Sequence, residues 1–524
     1  MGKALLYHQV TKHHFNRFAR SLGHLDWATQ PDPFRRYPGA PVVHLSRDIV
    51  AGEQSYGSLY EKDGPPSAFD DRSIAEFLRC SMGLSAWKQY RQTRWALRVN
   101  PSSGNLHPTE AYLVRQGDVY HYAPREHALE HRVRINRAAW EAFTTGREGF
   151  LVALTSILWR EAWKYGERAF RYCQHDTGHA LAAMRIAASM LGWTLTVLPR
   201  WSDASLSTLL GVDRDDDYDE AEREEAECLA VVTGGDVGPW ILADPASLVA
   251  AARHATWCGR ANRLSSDHVD WPIIEQVAAA TRYPGLALSI PNGQLPTPNH
   301  VQHPTPNSKW VRAREVILKR RSAVAFDAQS GLARNYFLSM LARLRPAAPP
   351  WDAIDWPPQV HLILFVHRVE GMPPGVYAYL RDSAVLDEWR AAMRPEFLWE
   401  PVEDGLFLLF PSDVTFTANR LSCDQEIAAD GFFSLGMIAR LESSLRERGE
   451  WFYRRLFWEC GMIGHVLYLE AEAAGARGTG IGCFYDDAVH ELLSLSGHGW
   501  QSLYHFSMGV PVEDARLTTE SGYP

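Results

Sequence analysis

The chain is written twice. VYHYAPREHAL begins at Val119 and VYAYLRDSAVL at Val376, an offset of 257 residues. Further on, RAFRYCQHDTGHALAAMRIAASMLG (Arg168 to Gly192) is matched by RLFWECGMIGHVLYLEAEAAGARG (Arg455 to Gly478). The Gly-His pairs at 178–179 and 464–465 put that match at an offset of 286. FLVAL from Phe150 pairs with LFLLF from Leu406, DASLSTLLGV with DAVHELLSLS, and the strand-like LAVVTGG with SLYHFSMGV. A repeat of this length constrains the fold to two like units, and like units fused in tandem are expected to pack as a two-fold dimer does. The length of 524 residues agrees, because single cores seldom grow beyond about 250–300 residues.

Each half reads as helices, a hairpin, a strand, a helix, a long buried helix, a short helix and a closing strand. That order implies an α+β sandwich. Small residues on the Gly-His helices (Ala180, Ala183 and Ala187; Ala471 and Ala474) allow close packing on a sheet. PGLALSIPNGQLPTPNHVQHPTPNS, with six prolines and no Asp, Glu, Lys or Arg, is the expected linker. The expected domains are 1–283, carrying an N-terminal extension, and 309–524, joined by 284–308. The second offset exceeds the first, so half two gains residues between the anchors. The gain includes FTANRLSCDQEIAADGFFSLGMIARL, expected to be helical in its second part, as a lid or as a packing elaboration.

Composition narrows the function classes. Hydrophobic residues make up 46% and charged residues 22%, as in ordinary globular enzymes. The net charge is −9, and no basic patch argues for nucleic acid. The seven cysteines are an odd count with no Cys-x-x-Cys pair, so free thiols in a reducing cytosol are expected, not a disulfide framework or a zinc knuckle. No metal site is expected. The N-terminus lacks the apolar core of a secretory signal, and no uncharged apolar run reaches 18 residues, so no membrane span is expected.

Three stretches carry candidate chemistry. VILKRRSAVAFDAQSGL opens half two, and Arg320, Arg321 and Ser322 at its helix end can grip a phosphate through forked hydrogen bonds. Taken alone, the run fits a solvated basic face as well. GARGTGIGCFYDDAVHELL holds Gly475, Gly478, Gly480 and Gly482, where backbone without side chains can approach a flat ring. A turn between helix and strand is the plainer reading. NPSSGNLHPTEAYLV occurs in half one only, and its small polar residues mark a turn or a place of close backbone approach to a ligand.

In this order, RRSAVAFD, PSSGN with a following Pro, and a glycine-rich stretch before an Asp-Asp helix resemble the FMN-dependent nitroreductase superfamily. WKYGERAFRY (Trp163 to Tyr172) followed by GHAL resembles its SagB/ThcOx-type branch of azoline dehydrogenases, as does the N-terminal TKHHFNRFAR…LDWATQPDPFRRYPG. The resemblance implies two nitroreductase-like domains packed as an intramolecular pseudo-dimer, compatible with a monomer, with FMN at the interface. It implies that Arg320, Arg321 and Ser322 hold phosphate and ribityl groups. Gly480, Ile481 and Gly482 would lie by the reactive ring edge, and Pro101, Ser102, Ser103 and Asn105 would reach across from half one. A basic residue near the C-terminus, here Arg516, would complete the phosphate grip. Lys164 and Tyr165 would be the catalytic pair.

The halves depart from the pattern in complementary ways. Half one has SAFDDRSIAEFL where the arginine pair is expected and WTLTVLPRWSD in place of the glycines, with Arg200 and Trp201 expected to obstruct a ring. Half two has LRPAAPPWDAIDWPPQVHL in place of the serines. One complete pocket is therefore expected. The branch implies oxidation of a thiazoline or oxazoline to the aromatic ring, with dioxygen reoxidising the flavin. Ordinary pKa values of about 10.4 for Lys and about 10 for Tyr make both poor bases at neutral pH, and burial would lower the lysine. The partners implied are a small-molecule or peptide substrate and biosynthetic partner enzymes in the cytoplasm. An NAD(P)H-dependent nitro or quinone reductase and an inactive docking subunit are the competing readings. His179 and His465 are expected to share a structural role, while His107 and Glu110 are weaker site candidates.

Overall fold

The first half places nine strands in order: β1 (Val42–His44), β2 (Leu84–Tyr90), β3 (Thr93–Arg98), β4 (Thr109–Arg115), β5 (Asp118–Ala123), β6 (Ala128–Arg134), β7 (Phe150–Ser156), β8 (Thr194–Val197) and β9 (Glu225–Thr233). The second half places β10 (Val360–Val366), β11 (Gly375–Tyr379), β12 (Glu400–Glu403), β13 (Leu406–Pro411), β14 (Phe433–Arg440), β15 (Arg477–Ile481), β16 (Trp500–Gly509) and β17 (Thr518–Ser521). This computed structural model describes residues 2–61, 65–286, 311–346 and 348–523. Most of the expected linker, from 287 to 308, lies outside the described residues.

Each half builds a seven-stranded antiparallel sheet. The orders are β1-β6-β5-β4-β7-β9-β8 and β12-β13-β11-β10-β14-β16-β15. The repeat is therefore a repeat of topology, with mixed helix and sheet in two like domains. Central strands β7 and β10 are buried at every position and apolar at most of them, with Thr155, Ser156 and His361 the exceptions. Two expectations from sequence are corrected. LFLLF belongs to β13, beside β11, and so takes the place of β6; the counterpart of FLVAL is β14. The half-two insertion is helical in its first part (Thr415–Leu421 and Ile427–Asp430), while its second part is strand β14. A run of similar hydrophobicity in both halves misled the alignment.

Between the sheets cross two 22-residue helices, Ala169–Met190 and Phe452–Ala473. Glycines set their distance. A Cβ on Gly178 would lie 2.2 Å from the Trp458 carbonyl, and one on Gly461 would lie 2.2 Å from the His175 carbonyl. These reciprocal contacts relate Gly178 to Gly461, an offset of 283, not the 286 of the Gly-His pairs. His179 and His465 are thus not symmetry mates. His179 Nε2 pairs with Tyr504 Oη at 3.2 Å, and the His465 ring lies 6.3 Å from that of His179. The long helices and the inner sheet faces form one continuous core, while smaller apolar clusters cover each outer face.

The chain ends exchange sides. Helix Lys3–Val10 lies on half two, where His8 pairs with Tyr453 Oη (3.2 Å) and Gln501 Oε1 (3.1 Å). Strand β17 joins the β2–β3 hairpin of half one, with Thr518 opposite Gln89 and Ser521 opposite Ala86. Tyr523 Oη then accepts the Leu84 N–H at 2.9 Å. Both ends lock the pseudo-dimer. Among the described residues no helix is long and apolar enough to cross a membrane.

Candidate active site along the glycine strand

The glycine stretch is an edge strand, not a loop. β15 pairs with β16 from Arg477 opposite Gly509 to Ile481 opposite His505. Its free edge meets the segment after helix Ala313–Lys319. Ser322 bridges Gly478 in parallel, the Ala323 N–H donates to the Gly478 carbonyl at 3.1 Å, and Thr479 Oγ1 donates to the Ala323 carbonyl at 2.9 Å. Tyr468 on the second long helix ties the two segments together. Its hydroxyl accepts the Gly480 N–H (2.8 Å) and pairs with Ser322 Oγ (3.0 Å). A side chain at Gly480 would strike Tyr504, and one at Gly482 would strike the ring of Tyr172.

Arg320 crosses the seam. Its Nε donates to the Val99 carbonyl (3.1 Å) and its Nη2 to the Arg98 carbonyl (3.2 Å), just ahead of PSSGN, while buried Nη1 has no hydrogen-bond partner. Burial pulls its pKa down. Arg321 donates to the Ser85 carbonyl at 3.0 Å, and its pKa falls to about 10 through burial and the neighbouring Arg320 charge. Arg477 and Lys88 belong to the same field: Arg477 acts on Arg321, and both arginines act on half-buried Lys88, against the acids Glu472 and Glu513. Arg477 is itself paired with Glu513 at 2.5 Å, so the unpartnered Nη1 of Arg320 is the donor that fits a phosphate. Sequence reasoning missed Lys88 and Arg477, which stand alone in their own strands. It also chose Arg516, whose guanidinium is instead 71% exposed and paired with Asp514 at 2.8 Å. Two residues of separation draw Arg516 into that local pair and out to solvent.

PSSGN is held by its own half. Ser103 donates to Asp176 Oδ1 through both N–H and Oγ at 3.1 Å, Ser102 Oγ accepts the His107 N–H at 2.7 Å, and Asn105 Nδ2 donates to the Ala96 carbonyl at 2.9 Å. Pro101 is buried. The contact across the seam is made by Arg320, not by the serine hydroxyls. Gly104 sits at φ 58, where glycine is favoured. A Cβ there would lie 2.6 Å from Tyr165 Oη and 3.1 Å from Lys164 Nζ. Both heads therefore converge on the backbone of this loop.

Lys164 and Tyr165 end helix Leu158–Tyr165, which Gly166 terminates. Tyr165 stacks near Tyr172, with ring centroids 4.4 Å apart, so the aromatic wall runs from Lys164 to Gly482. Burial, then the Glu161 carboxylate, pushes the Tyr165 pKa well up and keeps the phenol neutral. Two buried acids stand behind the pair. Glu161 has no hydrogen-bond partner for either carboxylate oxygen, and burial followed by the Asp176 charge raises its pKa well above the usual range. Burial raises Asp176 to about 7 although the serines donate to it. Neither acid was anticipated from sequence. The available signals were the spacing from Glu161 to Lys164, which puts both on one helix face, and a lone aspartate in a buried alanine-rich helix.

The weaker candidates resolve differently. Glu110 is held by Arg160, Arg98 and His121; burial opposes its ionisation, but the two guanidinium groups overcome it and keep its pKa low. It is a core ion pair, not a site residue. His107 is buried with both ring nitrogens unpartnered, and burial holds it neutral.

A nitroreductase-family model matches residues 86–219 and 317–510, in tandem and over more than half of the chain. Among solved structures, a protein of Anabaena variabilis that is provisionally named a nitroreductase aligns over 98% of this chain and 100% of its own, at 20% identity and a TM-score of 0.69. That likeness shows the fold across both halves. The E. coli microcin synthetase McbBCD complex with truncated pro-MccB17 bound matches 36% of this chain and 71% of that one, at 19% identity and a TM-score of 0.27. An oxidoreductase containing FMN matches 38% of this chain and 77% of that one, at 15% identity and a TM-score of 0.19. The last two scores are too low to carry an argument. No curated protein sequence matches the chain significantly.

Proposed function

The chain belongs to the nitroreductase family, and from that premise we propose that it is an FMN-dependent dehydrogenase that oxidises an azoline in a peptide or related natural product. Thiazoline would become thiazole, or oxazoline oxazole. One observation carries the reading. Arg320, with an unpartnered guanidinium N–H, lies two residues from the Ser322–Gly478 bridge, and the Lys-Tyr pair, with two raised-pKa acids, reaches the other end of the glycine stretch through Tyr172.

The residues fit a flavin mononucleotide. Arg320, Arg321 and Ser322 would hold the phosphate end, with Lys88 and Arg477 adding positive potential. Gly480, Ile481 and Gly482 would face the ring with their backbone, between the side chains of Tyr504 and Tyr172. Bound there, FMN supplies the hydride acceptor. Lys164 Nζ takes the proton from the azoline carbon next to the carbonyl. Tyr165, held as a neutral phenol, donates a hydrogen bond to that carbonyl oxygen. Asp176, in its ionised form, would take the proton on from Lys164, while burial keeps Glu161 protonated beside them. Partner enzymes that form the azoline would supply the substrate in the cytoplasm. A nitro or quinone reductase driven by NAD(P)H is the second reading, because protonated Tyr165 and Asp176 would equally protonate a reduced substrate.

Flavin per chain, measured by absorbance on the purified protein, tests this reading. We expect one FMN. Two would overturn the single pocket, and none after reconstitution would overturn the enzyme. Rapid bleaching of the flavin by NADPH would transfer the assignment to the reductase.

A further inference from the structure

Seven cysteines are present, and two of them meet. Cys483 Sγ lies 2.9 Å from Cys423 Sγ. Cys423 belongs to the half-two insertion, between helices Thr415–Leu421 and Ile427–Asp430. Cys483 follows Gly482 in the turn between β15 and helix Asp486–Leu493. Both are partly exposed, whereas Cys80, Cys173, Cys228 and Cys460 are buried.

The two turns are already docked. Gln425 Nε2 donates to the Cys483 carbonyl (3.0 Å), the Tyr485 N–H to the Leu421 carbonyl (2.9 Å), and Tyr485 Oη to Asp424 Oδ2 (3.3 Å). Cys423 and Asp424 both take left-handed backbone, at φ 54 and 57, which side chains other than glycine rarely adopt. That turn aims the thiol at its partner. The sulfurs need only about 0.9 Å of approach to reach the bond length of about 2.05 Å. Little conformational freedom remains to be lost on closing the bond.

We propose that Cys423 and Cys483 form a reversible disulfide that staples the insertion to the end of the glycine strand. The oxidant is a low-molecular-weight disulfide, RS–SR. The Cys483 thiolate attacks one of its sulfurs, the RS–SR bond breaks, and RS⁻ leaves. The Cys423 thiol then loses its proton and attacks Cys483 Sγ, expelling the second RS⁻. Two thiols lose two electrons and two protons, and two RSH form. Hydrogen bonding from Cys423, with the Arg168 charge nearby, lowers the Cys483 pKa and favours it as the attacking thiolate. The bond fixes the turn from Gly482 to Tyr485 and with it the contact between Gly482 and the Tyr172 ring. That consequence for the pocket rests on the proposed function; the bond itself does not.

The full chain, with or without flavin, is equilibrated in mixtures of reduced and oxidised glutathione, quenched by alkylation and read by intact mass and peptide mapping. We expect the first and dominant product to link residues 423 and 483, with a midpoint inside the range that glutathione mixtures span and full reversal by dithiothreitol in the folded state. Cys423→Ser and Cys483→Ser should each form no internal bond and instead take one glutathione on the remaining thiol. No linkage at the most oxidising mixture, earlier linkage elsewhere, or a bond that resists reduction without unfolding would overturn the proposal. The readout is mass. Protein that forms the bond but never binds flavin would therefore overturn the functional reading alone.

Discussion

At equivalent places on the two crossing helices stand Asp176 and Glu459, related by the same offset as Gly178 and Gly461. Both hold the segment that enters the central part of their sheet. Asp176 does so with Ser103 and no cation, and its pKa rises to about 7. Glu459 accepts from the Gln359 and Val360 N–H groups, from Trp356 Nε1 and from buried Arg381. Tyr172, which faces Gly482, has Arg455 as its counterpart. Arg455 lies 4.1 Å from the ring centroid of Trp458, 5.1 Å from Tyr283 and 5.2 Å from Trp356. The equivalent place in the second half is therefore taken by an ion pair and an aromatic cage. The residues expected to obstruct it do not do so: Trp201 is buried in the outer cluster against Phe143, and Arg200 leans on Asp244. The comparison teaches that equivalent places in a duplicated fold differ in whether a buried carboxylate meets a cation.

Four measurements sharpen or break this contrast. Lys164→Ala should cut turnover by about 10²–10⁴-fold while the protein stays yellow, the size expected for loss of a general base. Loss of flavin instead would make Lys164 a cofactor ligand. Arg381→Ala leaves Glu459 charged or protonated without its partner in the core, and should cost about 3–5 kcal/mol in urea unfolding. Its flavin content should remain at one per chain, and a second flavin would show that the filled pocket had only been blocked.

Asp176 supplies a pH test. Unfolded, an Asp releases its proton near 3.9, but in the folded chain Asp176 keeps it to about 7. The folded state thus binds more protons between these values. Stability falls as pH rises from about 4 to about 7, by at most about 4 kcal/mol. Asp176→Asn removes that share of the slope, and an unchanged slope would mean that Asp176 does not hold its proton through this range. The smallest effect belongs to Arg320→Ala. It removes one charged donor set and should weaken flavin binding about 10- to 100-fold by equilibrium dialysis. Unchanged binding would move the phosphate to Arg321 and its neighbours.

Local sequence carried much of this. RRS, PSSGN and the Lys-Tyr pair are contiguous, and their own helix ends and turns place them. β15 was misread because glycine is a poor strand former, and only pairing with β16 and Ser322 makes it one. Glu161 and Asp176 were missed because helical spacing alone does not tell a buried acid from one on a solvated face. The Gly-His pairs misplaced the repeat by three residues because nearby glycines in each helix offer more than one register.

The sequence by itself determined that the chain is a duplication of one domain type, and it set which short motifs are candidates for a site. Periodicity and spacing are local properties, and they survive without the rest of the chain. Only the tertiary structure decided which glycines cross, which acids are buried without a cation, and which sulfurs meet. Those depend on distances between residues hundreds of positions apart, and burial sets their charge and their partners.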